Sequence, residues 1–288
     1  MKKASLMIMM SICMVLTSCA QKVVNPNLKG LTGIDASSAF DITLTRGSSE
    51  SLTIEADEEI KPFVRHKVKN GVLHLWVEKN KLKNTKKLRA YVTVEELSLL
   101  KLSGACQISG TGVFPSKECK IDCSGASKIN LQIETNNLAI DISGACNLQL
   151  RVQAASISLN ASGASKVNIS TPSAASSYTS CDDESSHFTV QVASALKKVS
   201  IDCSGSSNIK LSGSAQLLNI DLSGASKIDA EQFSAKTAKI HTTGASKVKV
   251  GKIEDLKGSA SGVSDIQYNK SSTVTDLTTS GAAKSRPY

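Results

Sequence analysis

The chain has 288 residues with a formal net charge of +9; apolar residues make up 40%, charged residues 20% and aromatic residues only 3%. These proportions exclude a disordered chain and a polytopic membrane protein, and eighteen Gly with five Pro exclude a collagen-like or Pro/Gly-rich low-complexity chain. A globular, small-residue-rich body remains, whose core is not built from rings.

Lys2 and Lys3 precede an apolar stretch, Ala4 to Leu16, that has the length of a secretory signal core and is short for a membrane span. It ends in Leu16-Thr17-Ser18-Cys19, which resembles the lipobox of bacterial lipoprotein precursors. The resemblance implies cleavage before Cys19 and its acylation, because several buried acyl chains anchor stably where one does not. Residues 1–18 then form the signal peptide and 19–27 the anchor and linker, and the mature charge is 34−2−25 = +7. The alternative is a plain signal peptide with an incidental Cys. The expected address is the bacterial cell envelope, reached by the Sec pathway, with the protein lipid-anchored in the outer membrane.

Residues 28–100 alternate between polar and apolar over Phe40–Leu44, Leu52–Glu55, Val72–Val77 and Leu88–Val94, a period of two that predicts strands. Asn70-Gly71 marks a hairpin turn. No Gly corner is visible here and the aromatic residues concentrate in it, so the region is expected to be an N-terminal β cap or a half-domain fused to the rod.

From 101 to 288 the sequence repeats itself. A Ser-Gly-Ala-Ser-Lys motif or near copy begins at Ser103, Ser124, Ser143, Ser162, Ser204, Ser223, Thr243, Ser261 and Ser280, in steps of 21, 19, 19, 42, 19, 20, 18 and 19. The step of 42 is two steps of 21, and Asp183–Val192 aligns with Ser124–Ile133 as a degenerate tenth copy. A fixed period in this range is the signature of a solenoid. Around each corner the residues alternate, as in Ile121, Cys123, Ile129 and Leu131 against Asp122, Lys128 and Asn130. Each turn thus reads as two short strands joined at a Gly that needs a positive φ or has no room for a Cβ.

Such turns stack as a parallel β-helix of about ten turns, a rod on the order of 45–50 Å at about 4.8 Å per strand. One inward column runs Leu100, Ile121, Ile140, Leu159, Ile201, Ile220, Ile240, Gly258, Leu277. A second runs Ile108, Ile129, Leu148, Val167, Phe188, Ile209, Ile228, Val248, Ile266. Aliphatic ladders replace aromatic rings in a narrow coil. Gly258 and Ser285 at apolar positions predict a frayed C-terminal end.

The succession Phe40-Asp41-Ile42, Leu52–Asp57, Asn70–Leu73, Val92–Val94 and then repeated Ser-Gly corners resembles the head GIN domain family of auto-transporter adhesins, over roughly residues 28–285. The resemblance implies an all-β, right-handed parallel β-helix in a secreted or lipid-anchored bacterial protein, and its name suggests adhesion.

Beside the corner, the outward column Gln107, Lys128, Asn147, Lys166, His187, Asn208, Lys227, Lys247, Asp265, Lys284 faces a second one, Lys101, Asp122, Asp141, Asn160, Cys181, Asp202, Asp221, His241, Ser259, Thr278. The plain expectation is that Asp and Lys of one turn pair across the corner while Asn residues bond along the stack. The functional alternative is a charged strip for a polyanionic glycan or other envelope polymer, contacted by Lys128, Lys166, Lys227 and Lys247. Asp122 and Asp141, one turn apart, imitate the spacing of a retaining glycosidase's carboxylates, but the pair recurs at Asp202 and Asp221, which marks it as structural.

Cys181-Asp182-Asp183-Glu184 with His187 could hold a divalent cation, though acid clusters are more often simply solvated, and no metal is assigned. Cys106, Cys123, Cys146 and Cys203 sit in apolar or corner columns too far apart to bridge, so they read as core filler, leaving Cys119 as the one cysteine for which a disulfide stays open. Lys79, Lys81, Lys83, Lys86, Lys87 and Arg89 form a solvated loop or a contact for anionic head groups.

These features predict a lipid-anchored binding or adhesion module without catalysis or cofactor. The alternative is an envelope scaffold that self-associates; a carbohydrate-active enzyme and a nucleic-acid partner find no support in the motifs.

Overall fold

The structure, a computed structural model, describes residues 28–79, 81, 87–163, 165–170, 186–191 and 196–288, for the backbone alone at Ser170 and 186–191. Strands dominate. They are β1 (Gly33–Ala36), β2 (Asp41–Arg46), β3 (Ser51–Ala56), β4 (Val64–Lys69), β5 (Val72–Val77), β6 (Leu88–Val94) and β7 (Leu99–Leu102), then β8 (Gln107–Gly125), β9 (Lys128–Gly144), β10 (Asn147–Gln153), β11 (Ser156–Gly163), β12 (Lys166–Ser170) and β13 (Ser186–Gln191). They continue as β14 (Leu196–Cys203), β15 (Ser207–Leu222), β16 (Lys227–Thr242), β17 (Lys247–Val250), β18 (Ile253–Ala260), β19 (Asp265–Tyr268), β20 (Val274–Thr279) and β21 (Lys284–Pro287). Among the described residues the one helical element is a 3-10 turn, Lys61–Phe63.

The strands form a β-solenoid of about 9 turns with about 19 residues per turn. Every step of both inward columns is a parallel register pair. Before the corner the column runs Leu100, Ile121, Ile140, Leu159, Ile201, Ile220, Ile240, Gly258, Leu277. After the corner it runs from Ile108 through Ile129, Leu148, Val167, Phe188 and Ile209 to Ile266. Ile140 and Leu148 have no exposed surface at all. Burying an aliphatic side chain this fully contributes about 1.5–3 kcal/mol, so these ladders hold the coil together.

Both columns continue into the N-terminal region. Ile34 on β1 pairs with Leu73 on one side and Leu100 on the other, and Ile42 on β2 lies between Ala90 and Ile108. The turn made by β5 and β6 therefore lies outside the turn made by β1 and β2, although it comes later in the chain. Beyond it, β3 and β4 pair antiparallel with β6 and β5 and close the end. Asn70 and Gly71, both at positive φ, form the hairpin between β4 and β5. A corner is present here after all: Ser38 holds the left-handed position, at φ 84, and its carbonyl accepts from Ala105 N–H at 2.8 Å. The sequence hides this corner because a serine stands where the later turns have glycine.

Of the degenerate repeat the structure describes β13, which lies after the corner between β12 and β15. Before the corner β11 pairs directly with β14, so Asn160 stands against Asp202 where the sequence reading placed Cys181 between them; Cys181 itself lies outside the described residues. The two faces fall out of step by one strand at this point. Among the described residues the nearest atom a Cβ on Gly205 would meet is Gly163 N, 3.9 Å away, whereas one on Gly144 would come within 2.6 Å of the Gly125 carbonyl oxygen.

At the other end β20 pairs only with β18 and β21 only with β19 among the described residues, and most of their side chains are exposed. Gly258 is not a packing defect. It sits at φ 150 in register with Ile240, and any Cβ would run into the Ile240 carbonyl.

Candidate functional site: the outward faces beside the corner

The corner fixes the geometry of both faces. At Gly144 the backbone takes φ 98, and Ala145 N–H donates to the Gly125 carbonyl at 2.7 Å. The next inward residue, usually Ser, is buried and donates to corner carbonyls: Ser165 Oγ to Gly144 O at 3.0 Å, Ser264 Oγ to Ser261 O at 2.7 Å. Each turn is thus hydrogen-bonded to the one below through backbone and hydroxyl, and side chains on either side point outward at fixed register.

Before the corner, Lys101, Asp122, Asp141, Asn160, Asp202, Asp221, His241, Ser259 and Thr278 form one ladder. The expected pairing across the corner does not hold Asp122 or Asp141. Lys120, two residues back on the same face, bridges both, 3.2 Å from Asp122 and 3.1 Å from Asp141. Asn160 Nδ2 donates to Asp141 at 2.7 Å, the bonding of amides along the stack that the sequence suggested. Partial burial works to raise the Asp141 pKa, but the hydrogen bonds from Asn160 and Lys120 outweigh it and hold the carboxyl below its usual range. A general acid needs the opposite shift. Lys101, Asp122, Ser124, Asp141 and Ser143 line a shallow depression of about 250 Å³.

After the corner, Lys128, Asn147 and Lys166 stack in register, as do Asn208, Lys227, Lys247, Asp265 and Lys284. The four lysines proposed as polyanion contacts therefore lie on one face but not in one environment. Lys247 adjoins Asp265, which Arg286 and Gln267 also hold, at 2.8 and 2.7 Å. Lys249 pairs with Glu231 at 2.6 Å and lies over the Tyr288 ring at 4.2 Å.

The sequence profile described as "Putative auto-transporter adhesin, head GIN domain" matches residues 30–182 and 182–272. The chain belongs to the head GIN domain family. A crystal structure titled a putative adhesin, from Parabacteroides merdae, is similar at 16% identity, covering 90% of this chain and 92% of its own, with a TM-score of 0.55. A protein from Parabacteroides distasonis called a putative lipid binding protein is similar at 14% identity, 89% and 92% coverage and TM-score 0.55. Another from that species, called a putative adhesin, has 15% identity, the same coverage and TM-score 0.54. At such identities the likeness shows the shared solenoid. No protein of curated function matches the chain.

In this head GIN domain protein the described cysteines, Cys106, Cys119, Cys123, Cys146 and Cys203, are free and buried. Burial pushes the Cys106 thiol up to about 11 and the Cys119 and Cys203 thiols to about 12, so they are unreactive filler. Cys119 stacks on Leu138, not on another cysteine. Cys123 and Cys146 share a hydrogen bond across the corner, which together with burial pushes Cys123 up. This diagonal contact between neighbouring turns is invisible to column-by-column reading. Of the basic run, Lys87 pairs with Glu55 at 3.1 Å, Arg89 with Asp41 at 3.7 Å, and Lys81 lies over Phe63. Cys19, residues 19–27 and Asp182–Glu184 lie outside the described residues, and of His187 the backbone alone is described. Among the described residues no group of three potential ligands converges on a metal, and no helix is long and apolar enough to cross a membrane.

Proposed function

We propose that this head GIN domain protein is a lipid-anchored binding module of the bacterial cell envelope, without catalysis, which presents the repetitive outward face of its solenoid to an envelope polymer. In this reading residues 1–18 direct Sec export, Cys19 carries the acyl anchor in the outer membrane, 19–27 link it to the body, and 28–100 cap the repeats of 101–288. The observation that carries it is the face itself: lysines and amides held in register at one-strand intervals along the coil. Relatives of the same fold called adhesin or lipid binding protein are compatible with it. Catalysis draws no support from the Asp122–Asp141 pair, which Lys120 bridges and to which Asn160 donates a hydrogen bond at Asp141.

The test has two parts. Replacing Lys128, Lys166, Lys227 and Lys247 together by Gln is expected to weaken binding to isolated envelopes and flatten its dependence on salt, because exposed charges act through a screened field. Replacing Cys19 by Ala is expected to abolish labelling with radioactive palmitate and release the protein from the membrane fraction. Unchanged envelope binding in the first variant, or unchanged labelling in the second, counts against the reading. One observation favours a second reading, self-association into a scaffold: β20 and β21 each have a strand neighbour on one side among the described residues. Sedimentation over a hundredfold concentration range separates the two.

A further inference from the structure

The face after the corner is not uniform. On β8, β9, β10, β12, β13 and β15 the outward positions next to the corner carry no carboxylate. They read Gln107 and Ser109; Lys128, Asn130 and Gln132; Asn147, Gln149 and Arg151; Lys166 and Asn168; His187 and Thr189; Asn208 and Lys210. Acids bound this window at both ends and at the far side, where Glu134 follows Gln132 on β9 and lies beside Gln153. Asp41 lies on β2, beside Gln107, and Asp229 lies on β16, beside Lys210. Beyond Asp229 the cations are matched by carboxylates, Lys249 by Glu231 and Arg286 by Asp265.

Inside the window Lys128 and Arg151 make no ion pair among the described residues, and the Asn147 side-chain oxygen is buried without a hydrogen-bond partner. Six strands at about 4.8 Å make a strip roughly 24 Å long, enough for several units of a polymer lying along the solenoid axis.

We propose that this strip, from β8 to β15, is the contact surface for an acidic linear polysaccharide, with Lys128, Arg151 and Lys166 meeting its carboxylates and the amides of Asn130, Gln149 and Asn168 meeting its hydroxyls. The proposal rests on the envelope-binding reading above and narrows it: Lys227 and Lys247 fall outside the site. Charge complementarity selects an anionic partner. The amides select a saccharide, because a carboxamide both donates and accepts, as a hydroxyl group does. A single-stranded nucleic acid would be met by stacked aromatic rings, and no described side chain of the strip is aromatic.

The experiment uses the full lipid-anchored protein in detergent micelles, with polygalacturonate as probe, dextran as its neutral counterpart and DNA as the other polyanion. Binding is measured by calorimetry at low and moderate salt. The variant K128Q/R151Q/K166Q should lose about tenfold in affinity for polygalacturonate, the sum of three exposed charge contacts, and show a flatter salt dependence. K227Q/K247Q/K249Q should stay within about twofold of the parent, since Lys249 pairs with Glu231, Lys247 adjoins Asp265, and Lys227 lies outside the strip beside Lys247. N130A/Q149A/N168A should weaken binding while leaving the salt dependence unchanged. These residues face solvent, and a thermal melt of each variant controls for folding.

Equal losses in the two lysine sets, or an undiminished affinity in the first, overturn the strip. DNA bound as tightly as polygalacturonate overturns the saccharide assignment. If polygalacturonate fails to bind while envelopes still bind with salt sensitivity, the strip's ligand is wrong and the envelope reading stands; if neither binds, both fall.

Discussion

The middle turns, β8 to β12, and the last turns, β17 to β21, are built from the same repeat and differ in both core and surface. In the middle both inward columns are unbroken aliphatic ladders closed by Ser and Cys at the corner. In the last turns the ladder passes to half-buried Leu277 and to Ser285, and the final strands lie largely in solvent. The face after the corner changes with the core: the outward positions next to the corner carry cations and amides in the middle, whereas ion pairs such as Lys249–Glu231 and Arg286–Asp265 stand at the end. A repeat that specifies a backbone leaves its outward positions free to diverge, so stability and recognition are written in alternate residues of one strand.

The sharpest way to break this comparison is to cut the ladder at two heights. Ile140→Ala removes a side chain with no exposed surface and is expected to cost about 3–4 kcal/mol, whereas Leu277→Ala should cost under about 1 kcal/mol, measured by urea unfolding. Next come the corners. Gly144→Ala meets both the left-handed backbone and the Gly125 carbonyl and should cost about 2–3 kcal/mol. Gly205→Ala keeps the unfavourable φ of 92 but meets no backbone atom closer than Gly163 N at 3.9 Å among the described residues, and should cost about 1–2 kcal/mol. Equal costs at Gly144 and Gly205 would mean that the Gly125 carbonyl adds nothing to the backbone strain at Gly144.

Both ladders could be read from spacing, because a period of about twenty with strict alternation leaves one way to stack aliphatic residues, and every step from Leu100 to Leu277 pairs as read. Three features escaped for physical reasons. The Ser38 corner was missed because an L-residue in the left-handed region leaves no glycine to mark it. The degenerate copy aligns over ten residues, yet sequence similarity does not show that β11 pairs directly with β14 while β13 stands between β12 and β15. The Lys120 bridge and the Cys123–Cys146 contact join different columns, which a reading of single columns does not compare. The charged ladder itself was legible. Its division into a stretch of cations and amides and a stretch of ion pairs depends on which strand lies beside which, and so needed the register.

A smaller effect follows from acid. Asp141 in the middle and Asp265 at the end are both held below the ordinary carboxylate value of 3.8 against partial burial, Asp141 by Asn160 and Lys120 and Asp265 by Gln267 and Arg286. A carboxyl lowered in the folded state stabilises above its unfolded value, and that contribution disappears as pH falls from about 3.8 through the folded value. Thermal melts should therefore drop below about pH 4, slightly, because these groups remain partly solvated. The Asp141→Asn variant should lose part of that dependence.

Hydrogen exchange of the full protein, followed by mass spectrometry with and without polygalacturonate, addresses core and surface together. Without polymer, residues 120–170 should exchange far more slowly than 258–285. With it, added protection should fall on 128–132, 147–151 and 166–170 and spare 227–250. Protection centred on 227–250, or a C-terminal end as slow as the middle, would contradict the account.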